Sequence, residues 1–184
     1  LQAPPVTVEV HVANGLPAFS LVGLADAEVR EARDRVRAAL LSSGFEFPAR
    51  RITVNLAPAD LPKDSGRFDL PIALGLLAAS GQLPALNLQD YEFAGELSLT
   101  GSLRPVRGAL ALALASHNAG HTLILPATSG AEAALADGAI VRVAETLREV
   151  CAQLMGEEQL PTPIKPDLDH LTHYPDLVAV KGQA

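Results

Sequence analysis

The sequence predicts an α/β domain, in the α+β sense that its first half is rich in strands. Three observations carry that reading. Stretches alternating apolar and polar residues, the mark of half-buried strands, recur between stretches with helical spacing. One strand, around Ile52, Val54 and Leu56, leads through a polar loop into a segment, Leu70 to Ala79, that is apolar or glycine at every position. A helix apolar all round belongs at a domain centre, and this one is too short to span a bilayer.

In chain order, Val6, Val8, Val10 and Val12 alternate with Thr7, Glu9 and His11 as a strand. Asn14-Gly15 supplies a turn and Ala18 to Leu24 a second strand, so the opening is expected to be a hairpin. Asp26 caps a helix from Ala27 to Ser43 that Gly44 ends, with Val29, Ala32, Val36, Ala39 and Leu40 as its buried stripe. Arg30, Arg33 and Arg37 flank that stripe, and Arg50 and Arg51 follow. A solvated face, with these arginines paired to Glu28, Glu31 and Asp34, outweighs the reading as a subunit or DNA contact.

Pro58 and Pro62 stop the central strand, and the loop that follows gathers Asp60, Lys63, Asp64, Ser65 and Arg67. Asp69 is placed to cap the apolar helix, with Pro71 in its first turn. Pro84 to Asp90 reads as a connecting loop. Tyr91 to Leu99 is a strand, Thr100-Gly101 turns it, and Ser102 to Val106 returns. Gly108 to Ala119 is a second apolar helix ended by Gly120. A strand at Thr122–Leu125, a short helix at Ser129–Leu135, a strand at Ile140–Val143 and a helix at Glu145–Met155 complete the domain, residues 1–155. Prolines and charges then dominate, so 156–184 is expected to be a linker.

The 184 residues are 48% hydrophobic, enough for one large domain or a domain with a tail. A single cysteine, Cys151, excludes an internal disulfide framework, and a reducing cytoplasm is the expected compartment. A net charge of −7 argues against a dedicated nucleic-acid binder, while leaving room for a local basic face. No apolar run reaches membrane-spanning length, so no membrane partner is expected. A start at Leu1 and an end on VKGQA suggest a piece of a longer protein.

His117 and His121 are four apart, but Gly120 ends the helix between them, which favours a surface pair over a metal site. Asp167, Asp169, His170 and His173 fall in the expected linker and read as solvated side chains. Cys151 lies on the apolar stripe of the last helix with Val150 and Leu154, as an inert thiol. No GxxxxGK[ST] phosphate loop occurs, so no ATP hydrolysis and no resident cofactor are expected of these residues.

Residues 45–81, FEFPARRITVNLAPADLPKDSGRFDLPIALGLLAASG, resemble the amino-terminal domain of the magnesium-chelatase-like AAA+ ATPases, the YifB/ComM family. GLPAFSLVGLADAEVREARDRVRAAL before them and GELSLTGSLRPVRGAL after them match the same family, and YPDLVAVKGQA resembles its lead-in to the ATPase module. The resemblance implies a ribosomal-protein-S5 domain 2-like fold, as in the Lon proteolytic domain. It implies a parent with its own AAA+ module, ATP and Mg2+, a homo-oligomeric ring, and DNA as a candidate partner through branch migration in natural transformation.

The Lon likeness raises proteolysis. Lon uses a serine in a PKDGPSAG-like loop and a lysine after a GELTLTGRVLPIGG-like hairpin, where a neutral lysine takes the hydroxyl proton. Here the serine position falls at Gly66 or Arg67 and the lysine position at Leu110, and none can serve. Lys63 and Ser65 are two apart in one loop, with no second element to hold their geometry. The resemblance therefore implies a non-catalytic domain that couples or assembles a motor, like the one ending the DNA-repair protein RadA. Its candidate contact surfaces are the loop Asp60, Lys63, Asp64, Arg67 and the flank Arg30, Arg33, Arg37, Arg50, Arg51. The alternatives are a cryptic Lon-like serine peptidase and a subunit of a chelatase-like complex.

Overall fold

The structure, a computed structural model, describes residues 2–84 and 87–168. Its first layer is a three-stranded sheet in the order β1-β3-β2, with β1 at Thr7–Ala13, β2 at Ala18–Val22 and β3 at Arg51–Ala57. β3 runs antiparallel to β1 and parallel to β2. The expected hairpin does not form. Ala13 and Ala18 both register with Arg51, so segment 14–17 steps across the end of β3 instead of folding β1 onto β2. Burial decides this: Ile52, Val54 and Leu56 of β3 are fully enclosed, whereas the alternating residues of β1 and β2 are half-buried at best. The strand with the most apolar surface to hide takes the middle, and the local Asn-Gly signal loses.

The helical crossover from β2 to β3 is broken once, into α1 (Ala27–Arg30) and α2 (Ala32–Ser42). Asp26 does cap it, accepting from the Val29 N–H at 2.9 Å. The break at Glu31 has a local cause. The Arg35 guanidinium takes the Glu28 carbonyl at 2.6 Å, competing for the acceptor that a continuous helix offers to Ala32. The predicted stripe survives, with Val29, Ala32, Val36, Ala39 and Leu40 at 1% exposure or less.

α3 (Asp69–Ala79) lies against β1 and α2, with Leu70, Ile72, Ala73, Leu74, Leu76 and Leu77 buried as its apolar composition demands. Tyr91–Leu99 is two strands rather than one. β4 (Tyr91–Phe93) and β5 (Glu96–Leu97) belong to different sheets. Between them Gly95 turns its backbone to the head of α3, donating to Arg67 O and accepting from Leu70 N, both at 3.0 Å. A glycine suits this close approach, because an added Cβ would stand 3.1 Å from the tip of the Leu103 side chain. β5 then pairs antiparallel with β6 (Leu103–Arg104).

The second layer is a parallel sheet in the order β4-β7-β8, with β7 at Thr122–Pro126 and β8 at Ile140–Ala144. β7 serves two cores by its period-2 alternation. Ile124 points to the large core shared with α3 and α6 (Leu147–Leu154), while Leu123 and Leu125 face a smaller core under α4 (Ala109–Ala119) and α5 (Gly130–Ala133). α4 ends at Gly120 in the left-handed conformation, as expected. Cys151 is buried, and desolvation pushes its thiol up to about 12, so it stays an inert thiol. The mixed α/β architecture matches the predicted class. Among the described residues, no helix is long and apolar enough to cross a membrane.

Packing continues beyond Met155. Leu160 is only 4% exposed and joins the large core. The strap around it is bonded into place: Leu160 N donates to Gln153 Oε1 at 2.6 Å, Arg142 to Leu160 O at 3.0 Å, and Val143 N to Pro161 O at 3.0 Å. Residues 157–165 are thus a docked strap on β8, where the composition suggested a linker. Leu160→Ala is expected to lose about 2–4 kcal/mol, within the usual range for a buried leucine. Denaturant unfolding would measure it, and limited proteolysis should then cut inside the strap. Asp169, His170, His173 and the YPDLVAVKGQA segment lie outside the described residues.

Candidate functional site

The charged loop after β3 folds back on the segment between β2 and α1. Lys63 N donates to Leu24 O at 3.2 Å, and Lys63 O accepts from Asp26 N at 3.1 Å. The Lys63 side chain follows its backbone inward: it is 1% exposed and its Nζ donates to the Pro58 carbonyl. Lys63 is therefore no part of a contact surface. Its long stem fills the loop's interior, and its ammonium closes the loop on itself. Asp60 and Asp64 stay exposed, and Asp64 sits 3.7 Å from Arg67, whose guanidinium also covers the Phe68 ring at 5.1 Å.

The residues at the Lon-type positions, Gly66 or Arg67 and Leu110, carry neither a hydroxyl nor an amine. Gly66 is buried in a 3-10 turn, Gly66–Phe68, where an added Cβ would lie 2.6 Å from a Glu96 carboxylate oxygen. Any side chain there would compete with Glu96 for the same space. Leu110, in the first turn of α4, packs its side chain against the smaller core and donates its N–H to Glu132 Oε1 at 3.2 Å. Ser65 is half-buried with a positive φ of 67°.

Next to this turn lies the centre the sequence did not reveal. Asp69 does not cap α3; Phe68 holds the cap position and makes no side-chain bond there. The Asp69 carboxylate, fully buried, instead takes Arg35 Nε at 2.6 Å, Arg35 Nη2 at 3.1 Å and the Leu97 N–H at 3.1 Å. A forked guanidinium meeting both carboxylate oxygens is the strong geometry for such a pair. Arg35 also reaches Glu31 at 3.3 Å. One ion pair thus joins α2, the head of α3 and β5. Burial pushes the Asp69 carboxyl up to about 6, opposed by Arg35 and the Leu97 N–H, so it remains mostly ionised at neutral pH. Arg35 and Asp69 are 34 residues apart, and the one available signal was the lone acid heading an otherwise apolar helix.

The arginine flank also differs from expectation. Glu31 turns to Arg35, and Asp34, although spaced to face Arg30 and Arg37, forms an ion pair with neither. Among the described residues, Arg30, Arg33, Arg37, Arg50 and Arg51 have no carboxylate oxygen within 4.0 Å. Arg30 donates to Ala25 O at 3.2 Å and Arg37 lies 5.8 Å over the Phe47 ring. His117 is exposed, and His121 leaves it to pair with Glu92 at 3.0 Å.

Comparison with known proteins bears on this arrangement. The family described as subunit ChlI of Mg-chelatase matches residues 8–129. The YifB protein of Salmonella typhimurium is 51% identical over 183 residues, covering 100% of this chain and 36% of that protein. The competence protein ComM of Haemophilus influenzae is 53% identical over 161 residues, 88% of this chain and 32% of its own. A Lon protease of Chloroflexus aurantiacus is 30% identical over 130 residues, 66% of this chain but 15% of the protease. The chain thus spans about a third of the length of the YifB and ComM relatives.

Proposed function

Because the chain belongs to the family of the Mg-chelatase ChlI subunit, we propose that it is the non-catalytic module of a larger ATP-driven motor that acts on DNA. It couples or assembles that motor and leaves ATP and Mg2+ to an AAA+ module elsewhere in the same protein. The observation that carries this reading is that the Lon-type positions hold no nucleophile and no base. Gly66 shares its space with the Glu96 side chain, and Leu110 is an apolar residue packed on the smaller core. A peptidase needs a nucleophile and a base within hydrogen-bond reach, and the loop's one buried amine is bonded to its own Pro58 carbonyl.

The link to DNA is supported by the likeness to a protein named for competence, found across 88% of the chain. The strap on β8 and the Arg35–Asp69 pair suit a coupling role, since each ties separate elements into one body that can transmit force. The test uses the full-length protein, with ATP hydrolysis and displacement of branched DNA measured together. ATP-dependent displacement that Ser65→Ala leaves unchanged is the expected result. A full-length protein that hydrolyses ATP with no effect of DNA on its rate, and moves no branch, would overturn the DNA motor.

A further inference from the structure

The unpaired arginines trace a path. Arg30 is bonded to the carbonyl of Ala25, just past the end of β2, and Arg37 stands over Phe47, whose ring stacks at 6.4 Å on Phe19 near the start of β2. The row on α1 and α2 therefore runs beside β2 from one end to the other. β2 is a sheet edge, bonded to β3 on one side. Arg50 joins the same end as Arg37, because its carbonyl accepts the Ala18 N–H at 3.2 Å. We propose that this rim binds a single strand of nucleic acid, with phosphates on the arginines and a base against the Phe19–Phe47 pair.

Several features favour a nucleic-acid strand over an acidic protein segment. Guanidinium groups free of carboxylates match phosphate oxygens in a planar fork, and every basic residue of the row is arginine. Within α2, Arg33 and Arg37 are about 6 Å apart along the axis at 1.5 Å per residue. That is roughly the rise of two stacked nucleotides at about 3.4 Å each. Phe19 and Phe47 pack against the large core with part of their surface exposed, and with Arg37 already over Phe47 that exposed part offers an unpaired base a stacking contact. The net charge of −7 repels a polyanion elsewhere on the surface, which confines binding to this rim.

The proposal places part of the motor's substrate on this domain and so rests on the DNA reading above. The experiment is a fluorescence-anisotropy titration of this chain with labelled oligo-dT of about 16 nucleotides, the upper end of common site sizes. It is run over a salt series, with polyglutamate as the competing polyanion. The variant Arg33→Ala/Arg37→Ala/Arg50→Ala alters only exposed side chains, and its thermal unfolding is checked alongside. The expected result is at least tenfold weaker binding. The slope of log affinity against log salt should become shallower by about 2, three lost contacts at about 0.7 each.

Unchanged oligo-dT affinity in the variant would overturn the proposal. So would a loss seen for polyglutamate alone, which would assign the rim to an acidic protein. If the full-length protein still moves branched DNA while this chain binds no strand, the placement fails and the motor stands. If the arginines hold a strand and the full-length protein never moves DNA, the placement stands and the motor fails.

Discussion

Asp69→Ala should destabilise the domain by about 3–5 kcal/mol, the usual cost of removing one partner from a buried ion pair. The loss has two sources. Arg35 would keep its charge, with its side chain only 17% exposed and its strongest acceptor gone, and the Leu97 N–H would be orphaned. Chemical denaturation measures the loss directly. The double variant Arg35→Ala/Asp69→Ala should be less damaging than the sum of the single variants, because the second change removes the stranded charge. A strictly additive cycle would mean the two groups act independently.

The same pair sets a pH dependence. Burial holds the Asp69 carboxyl at about 6 in the fold, above its ordinary 3.8. Between those values the folded state binds more protons than the unfolded one, so this group favours folding most below about pH 4. Its contribution is lost as pH rises through about 6. Asp69→Asn, which keeps an oxygen for the Leu97 N–H, should remove that slope from the stability profile.

Gly23→Ala should be of similar size, about 3–5 kcal/mol, from overpacking combined with backbone strain. Gly23 has φ of +112°, and an added Cβ would stand 2.1 Å from the Leu56 carbonyl oxygen. That oxygen belongs to β3, the central strand, and cannot swing aside as a side-chain tip would. The new methyl would force β2 away from β3 at the point where the chain leaves for Leu24. Gly44→Ala is the control, since its φ of +84° is strained but nothing lies within 4 Å. It should cost only about 1 kcal/mol. Thermal unfolding of the two variants separates steric overlap from backbone strain.

The parts of the fold that the sequence revealed are those where burial leaves a periodic trace. β3 alternates because one face is enclosed, and α3 is apolar all round because most of its surface is buried. The β1–β2 hairpin was misread because Asn14-Gly15 is a local signal, whereas strand order depends on which strand has most to bury. The Arg35–Asp69 pair was invisible for a different reason. Two residues 34 apart leave no spacing to read, and Arg35 looks like any other arginine on an acid-rich helix. The type of Lys63 misleads, since a lysine in a polar loop is ordinarily solvated. Composition hides the strap, because of its two large apolar residues only Leu160 is buried and Ile164 is exposed. At the candidate site, Gly66, Arg67 and Leu110 could be rejected as a Lon-type pair from residue type alone. The structure adds that a side chain at Gly66 would compete with Glu96 for its space.

The central proposal is that this domain does no chemistry of its own. Its most direct test is peptide-bond hydrolysis by the full-length protein with ATP and a denatured protein substrate, in wild type and Ser65→Ala. The account predicts no cleavage by either. ATP-stimulated cleavage by the wild type that Ser65→Ala abolishes would contradict it, and would make the loop around Lys63 and Ser65 an active site.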